Sequence, residues 1–469
     1  MQPFTIHDLL TFRKCPRAAA LRRMSGTQTE PERKPLSIEA ARSLRSLDQL
    51  EADAFHVGLT IRKNHAQARA DLLIHRSDGW ELLLDTNAQQ LREAHVWEAA
   101  FVSHLCNAVG LPVRRVTALL IDPNYVRTET IDYGALYIEQ EITERAKAHI
   151  GAIRTTLQQM NEQLNAPDAP EHELFEGCLK PRECPFWEEC SAHVPKLNVF
   201  SIAGMSNRRK FQLYRSGVSS FTECLAQAKL PKPQKMQVMH ELEQRPPLIN
   251  RPSIAKFLRT LWYPVRFLDF ESYQPAVPPY SGMKPFTQCA FLYSVHGLDS
   301  PSSPLEHAGV FVPYGTDPRR QIALGLCRDI PQNACVVVYS SGLEKAVVRE
   351  LAGLYPDLRA HLMQIAANMR DLLGPFRERA YYDRRMEGSC SLKRVLPAMD
   401  ARISYGELTG VQNGEDAVRT YEAMAALPPE KREETARQLR EYCALDTLAM
   451  ALILKKLEDT QKQERGTER

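Results

Sequence analysis

The chain has 469 residues, of which 43% are hydrophobic and 25% charged, a balance that excludes a mostly disordered polypeptide. At ~100–200 residues per domain, that length predicts two or three domains. Sixty Lys and Arg against 57 Asp and Glu leave a net charge of +3, too balanced to bind nucleic acid through overall charge alone but compatible with a local basic groove. No apolar run reaches the ~18–20 residues of a membrane span. The opening MQPFTIHDLLTFRKCPRAAALRR has neither an apolar core nor a small-residue cleavage site, so it does not read as a secretory signal. A cytoplasmic protein is expected.

Residues 1–195 read as a mixed first region. It includes a helical pattern over 136–165 (ALYIEQEITERAKAHIGAIRTTLQQMNEQL) and a loop at NAPDAPEHE. The chain has eleven cysteines, and in a reducing compartment disulfides explain them poorly. Most stand singly in apolar stretches, as small core residues do. Cys178, Cys184 and Cys190 differ: in GCLKPRECPFWEEC they are evenly spaced among Pro and aromatic neighbours, a pattern suited to thiolate ligation. With Cys15 of FRKCPRAAALRR as the fourth ligand, they would hold an iron–sulfur cluster or Zn²⁺, which spacing alone does not separate.

Residues 196–258 read as a helical linker. In KFQLYRSGVSSFTECLAQA, Gly217 between two apolar helices suggests a helix–turn–helix hairpin able to grip a phosphate backbone. From about 261 the pattern changes. LWYPVRFLDFES, QCAFLYSVHG and HAGVFVPY read as three successive strands, followed by a helix at 317–328, the strand ACVVVYS and a helix at 343–354. Three strands, helix, strand, helix is the order of a ribonuclease H-like α/β fold. Residues 459–469 read as a disordered tail.

The strand VRFLDFES places Asp269 and Glu271 on one face, because side chains alternate with period two. Two adjacent carboxylates in an apolar strand repel each other and cost desolvation, which a divalent cation relieves. In EYCALDTLAMALILKKL, Asp446 falls on the core-facing helical stripe with Tyr442 one turn before it, and no residue three or four positions away is basic. Glu344 opens the helix after ACVVVYS, near the edge where ligands meet an α/β sheet. Four carboxylates from two strand ends and two helices would suit a two-metal phosphodiesterase, with ions ~3.5–4 Å apart and Tyr442 orienting the water.

Asp269-x-Glu271, Glu344 and Tyr442-x3-Asp446 together resemble the three motifs of the DEDD exonucleases, in their tyrosine-bearing branch. More narrowly, FLDFESYQPAVPPYSGMKPFTQCAFLYSVH, DPRRQIALGL, VVVYSSGLEKAVVRELAGLYPDL, DLLGPF, GSCSLKRVLPAM and EYCALDTLAM resemble the bacterial domain-of-unknown-function family 2779. The resemblance covers most of a domain at 259–458. It implies a ribonuclease H-like fold with a mixed five-stranded sheet and a 3′→5′ exonuclease using two Mg²⁺ or Mn²⁺ ions, held by Asp269, Glu271, Glu344 and Asp446. The chain departs from the superfamily in carrying Glu344 where Asp is usual, and Ser340 and Ser341 where Asn often precedes that acid.

GCLKPRECPFWEEC with the early Cys15 resembles the iron–sulfur staple of RecB-like PD-(D/E)XK nucleases of the CRISPR-associated and AddB types. The resemblance implies such an α/β fold for 1–195 and favours [4Fe–4S] over zinc. In that family, one Asp and an acidic-x-Lys strand make the metal site. Here ARADLLIHRSDGWELLLDTNAQQ supplies Asp71 and Asp85 on strands joined by SDG, but Asn87 stands at the lysine position, where a neutral amide cannot stabilise an attacking hydroxide. Val102 stands where a helix Gln is frequent. The implied N-terminal core is therefore degenerate and inactive, unless Lys63 replaces the lysine.

RRKFQLYR at 208–215 and RDLLGPFRERAYYDRR at 370–385 mix cations and rings, as a path for single-stranded DNA or RNA would, and Lys393 could touch a phosphate. The expected partner is nucleic acid. The alternatives are a non-catalytic nucleic-acid-binding protein with a structural cluster and a nuclease acting through the N-terminal domain.

Overall fold

The computed structural model describes residues 2–26, 36–44, 55–166, 168–400, 411 and 413–462. Two compact units emerge: Met1–Ala192 with Pro275–Thr287, and His193–Gln274 with Gln288–Arg469. Each is mixed α/β, built on an open five-stranded mixed sheet. The stretch 196–258, read above as a linker, is part of the second unit.

In the first unit the sheet runs β1-β2-β3-β4-β5. Its strands are Phe55–Lys63 (β1), Ala66–Arg76 (β2), Gly79–Asp85 (β3), Val113–Ile121 (β4) and Tyr137–Glu141 (β5). The first three form an antiparallel meander; helix Glu93–Ala108 then crosses over so that β4 lies parallel to β3, and β5 closes antiparallel. The run LLI at 72–74 in β2 is continuously apolar because both sheet faces are covered. Leu73, Leu82 and Leu84 pack with Phe101 and Ile153 of the covering helices, while Leu72, Ile74 and Leu83 pack with Leu136 and the partly buried Val277 and Phe286. Gly79 is fixed by a close approach: a Cβ there would sit 2.7 Å from the Pro112 carbonyl oxygen, at a φ of +142°.

The helix expected over 136–165 is shorter than predicted. Residues Tyr137–Glu141 are strand, paired with β4, and the helix runs Thr143–Gln163. Pairing with β4 overrides the helical pattern over these five residues.

In the second unit the sheet order is β11-β10-β7-β8-β9. It comprises Val265–Tyr273 (β7), Cys289–Leu298 (β8), Glu306–Phe311 (β9), Cys335–Val338 (β10) and Met369–Asp371 (β11). A separate ribbon pairs β6 (Leu248–Ile249) with β12 (Tyr381–Tyr382). β7, β8 and β9 form an antiparallel meander; β10 lies parallel to β7 and β11 parallel to β10. CVVV of β10 is wholly buried, as a central parallel strand must be. One face packs Phe267, Val337, Ile453 and Leu457, the other Leu268, Val336, Val348 and Ile365. Helices Asn207–Arg215 and Phe221–Gln227 flank a turn at Gly217, whose φ is +84°. The last element among the described residues is a 34-residue helix, Pro429–Lys462, so residues 459–462 are helical rather than disordered; 463–469 lie outside the described residues. No helix among the described residues is long and apolar enough to cross a membrane.

Candidate metal centre

β7 supplies the first two acids. Asp269 and Glu271 sit two residues apart on one face; Glu271 is 6% exposed and Asp269 half-buried. Glu344 is the third residue of helix Gly342–Leu354, just beyond the end of β10, and is also buried. The terminal helix brings Tyr442, Cys443 and Asp446, with Asp446 half-buried and the other two buried. Tyr442 and Asp446 share a helix face because four residues span about one turn.

The acids act on one another. Burial first, then the charges of Asp446, Glu271 and Glu344, push the Asp269 carboxyl well above its ordinary range. Burial, then Asp446, lifts Glu271 to about 8, with the Lys393 ammonium opposing. Burial, then Asp371, lifts Glu344 to about 7. Its Oε2 atom is buried without a hydrogen-bond partner among the described residues. Such an oxygen costs free energy until a proton or a cation meets it. Tyr442 is pushed upward by burial and then by Asp446, Glu271 and Asp269. The Lys393 ammonium lies 5.0 Å from the Tyr442 ring centroid, so Lys393 is at the site.

The four predicted acids therefore come from one strand and two helices rather than from two strand ends. Two further residues join them. Cys443 donates a weak hydrogen bond to Asp269 Oδ2 at 3.7 Å, and donor atoms of Asp269, Glu271 and Cys443 all lie within 4.8 Å of one another. Burial and three carboxylates push its thiol well above the ordinary range, so it is a neutral donor here. Asp371, at the end of β11, accepts from the backbone amides of Ser340 (2.9 Å) and Leu373 (3.0 Å), tying the β10 exit to β11. Ser340 holds a φ of +72°, a left-handed turn that redirects the chain toward Glu344. Cys443 reads in sequence as core packing, and DLLGPF carries no separate signal for Asp371.

Behind the acids lies a buried polar relay. Ser294 is the cross-strand neighbour of Asp269. Its hydroxyl contacts Thr447 Oγ1 at 2.8 Å, and Thr447 Oγ1 contacts His296 Nδ1 at 2.7 Å. Since Thr447 follows Asp446, the relay fixes how the terminal helix is turned about its axis.

In the first unit, Asp71 and Asp85 do come together on adjacent strands, both buried. Their oxygens are already engaged: Asp71 Oδ2 accepts from the Asp85 amide at 3.0 Å, while Asp85 accepts from the Asn87 amide (3.1 Å) and from Tyr137 Oη (3.4 Å). Asn87 sits at a φ of +45°, a left-handed position an Asn tolerates. Val102 is core, 2% exposed. Lys63 does not replace the lysine. It ends β1 at the hairpin tip, five residues beyond the point facing Asp71, or about 16 Å at ~3.3 Å per strand residue.

The four selected cysteines share one neighbourhood. Cys15 caps helix Pro16–Met24 between the two N-terminal helices. Burial raises its thiol first, and the charges of Cys184 and Cys190 add to that; Cys178 is raised by burial and then by Cys15, Cys184 and Cys190. Lys14 Nζ donates to the Lys180 carbonyl at 3.0 Å, and Arg17 pairs with Glu189 at 3.3 Å. These contacts hold the early helices against the late cysteine segment.

The mixed basic and aromatic stretches offer few ring faces. Phe211, Phe376, Tyr381 and Tyr382 are buried, Arg379 covers Tyr382 and Arg385 pairs with Asp383.

Residues 266–391 match the profile of a family described as Domain of unknown function (DUF2779). The matched stretch holds Asp269, Glu271 and Glu344 and ends before Tyr442 and Asp446. A search of curated proteins finds no match.

Proposed function

We propose that the second unit is a divalent-metal-dependent nuclease, a 3′→5′ exonuclease that hydrolyses phosphodiester bonds at DNA or RNA ends. The observation that carries this reading is the convergence of Asp269, Glu271, Glu344 and Asp446, buried or half-buried acids among which Asp269 is raised by the other three and Glu271 by Asp446. An all-oxygen set of this kind suits Mg²⁺ or Mn²⁺. The orphaned Glu344 Oε2 is a ready ligand. Bound there, such ions act as Lewis acids on the phosphoryl oxygens and lower the pKa of water.

The chain's own groups do the rest. Tyr442 orients water with its phenol, which stays protonated because burial and the acids hold it so. Lys393, beside the Tyr442 ring, supplies a cation for the scissile phosphate. The sheet order, an antiparallel meander flanked by parallel β10 and β11, supports a ribonuclease H-like assignment.

For the first unit we propose a RecB-like PD-(D/E)XK fold without catalysis, closed by a [4Fe–4S] cluster on Cys15, Cys178, Cys184 and Cys190. The meander, crossover helix and parallel β4 support the fold. Inactivity follows from carboxylates spent on protein donors and from the absence of a cation at Asn87.

The test uses the full chain with Mn²⁺ and 3′- or 5′-labelled single strands, wild type beside Asp269→Ala and Asp446→Ala. Wild type should shorten strands from the 3′ end, and each variant should lose at least ~100-fold. Intact substrates in all three samples would leave a nucleic-acid-binding protein without hydrolytic chemistry.

A further inference from the structure

The first unit contains a cavity of about 410 Å³ that the degenerate core does not account for. Three elements build it. The β1–β2 hairpin tip gives Lys63, Asn64 and His65, helix Glu93–Ala108 gives His104 and Leu105, and helix Thr143–Gln163 gives Arg154, Leu157 and Gln158. The volume falls within the ~300–1,000 Å³ of small-molecule sites.

Its charge is one-sided. Lys63 and Arg154 line it as cations, the imidazoles of His65 and His104 stand beside them, and no lining residue is a carboxylate. Elsewhere on the same helix, cations are neutralised: Arg145 pairs with Glu93 and Lys147 with Glu144. Among the described residues, Lys63 and Arg154 have no such partner. Glu162 accepts from the Gln158 amide at 3.1 Å but does not line the cavity. Burial first, and then the Arg154 guanidinium, hold His104 below its ordinary value; collecting cations without counter-charge costs free energy that a bound anion offsets.

We propose that this cavity binds the phosphate of a nucleotide, with Lys63 and Arg154 on the phosphate oxygens and the nucleoside body over Leu105 and Leu157. Phosphate is the anion these groups fit, since a guanidinium and an ammonium from two different elements lining one cavity can each take separate oxygens of one tetrahedral group. The amides of Asn64 and Asn161 offer paired donors and acceptors for a base edge. The ligand is either a free nucleotide or the phosphorylated end of a strand, which share this chemistry. The site is independent of the acidic centre of the second unit.

Calorimetric titration tests it on the full chain carrying Asp269→Ala, with chelator present so that the acidic centre cannot capture phosphates. The probes are AMP, inorganic phosphate and a 5′-phosphorylated oligothymidylate. AMP or the oligonucleotide should bind, and Lys63→Gln or Arg154→Gln should each weaken binding at least tenfold. Arg115→Gln, an exposed cation on β4, should leave it unchanged. Tight AMP binding identifies a free-nucleotide site, whereas binding of the oligonucleotide alone identifies a strand-end site. No binding of any probe at millimolar concentration overturns the proposal, as does equal weakening by Arg115→Gln, which would mean diffuse charge attraction. Because Lys63 and Arg154 are exposed, their variants should keep the parent melting temperature, so lost binding reads as lost contact.

Discussion

Replacing Glu271 by Gln tests the electrostatics of the acidic centre apart from any reaction. The carboxyl ordinarily titrates at 4.5, and burial with Asp446 lifts it to about 8. A folded-state value above the unfolded one means that the folded protein holds a proton the unfolded chain releases. The stability tied to this group is fully present below pH 4.5 and is lost progressively as pH rises toward 8. At ~1.4 kcal/mol per pH unit, the metal-free protein gives up about 3 kcal/mol at pH 7. Gln cannot ionise, so metal-free Glu271→Gln should be more stable than wild type by up to that amount at pH 7 and equal to it near pH 4.5. For a domain of this size, with ~2–4 °C per kcal/mol, the melting temperature rises by about 6–12 °C.

Scanning calorimetry of chelated protein at pH 4.5, 7 and 8 measures this directly. Adding Mn²⁺ at about 1,000 times Kd should reverse the ranking, because wild type gains about 4.1 kcal/mol of binding free energy and the variant loses a ligand. A variant less stable than wild type by the same amount at pH 4.5 and pH 8 would refute the reasoning. Glu271 would then be an ordinary satisfied carboxylate rather than one waiting for a cation.

Other perturbations probe the surroundings. Cys15→Ser should abolish the iron–sulfur absorbance of anaerobically prepared protein and lower the melting temperature of the first unit, while strand shortening by the second persists. Zinc found by metal analysis, without that absorbance, would overturn the cluster assignment. Thr447→Val removes the contacts to Ser294 and His296 and leaves buried polar atoms unpaired, so it should cost ~1–3 kcal/mol by chemical denaturation; an unchanged midpoint would remove the relay from the account. His296 is held down to about 4 by burial and then His307. Its contribution is therefore present above pH 6.5 and lost as pH falls toward 4, so the acid arm of the stability profile should flatten in His296→Gln.

The alternation of VRFLDFES places Asp269 and Glu271 on one face in sequence alone, because period two is imposed by the strand backbone itself. The helical stripe placed Tyr442 and Asp446 together for the same kind of reason. In the 136–165 segment, by contrast, a short edge strand abuts a long helix. Tyr137 and Ile138 read as the helix's first turn because five residues are too few for the two periods to separate. Cys443 shows the limit of periodicity: the stripe identifies it as buried, yet burial against Leu or against Asp269 leaves the same trace in sequence.

Asp371 and the cavity were hidden for a further reason. Asp371 gains its role from the parallel pairing of β10 with β11, and its bond to the Ser340 amide joins positions whose proximity no local pattern encodes. Lys63 and Arg154 likewise belong to a hairpin tip and a helix far apart in the chain. In sequence Arg154 is one surface cation among many, and Lys63 suggests only a replacement for the lysine missing at Asn87. Proximity alone turns two solvated charges into a site, since the field of one raises the cost of the other and a single anion relieves both. The acidic centre follows the same logic with the signs reversed. Where folding crowds like charges, the opposite charge that relieves them is the ligand we propose: a cation for Asp269, Glu271, Glu344 and Asp446, and a phosphate for Lys63 and Arg154.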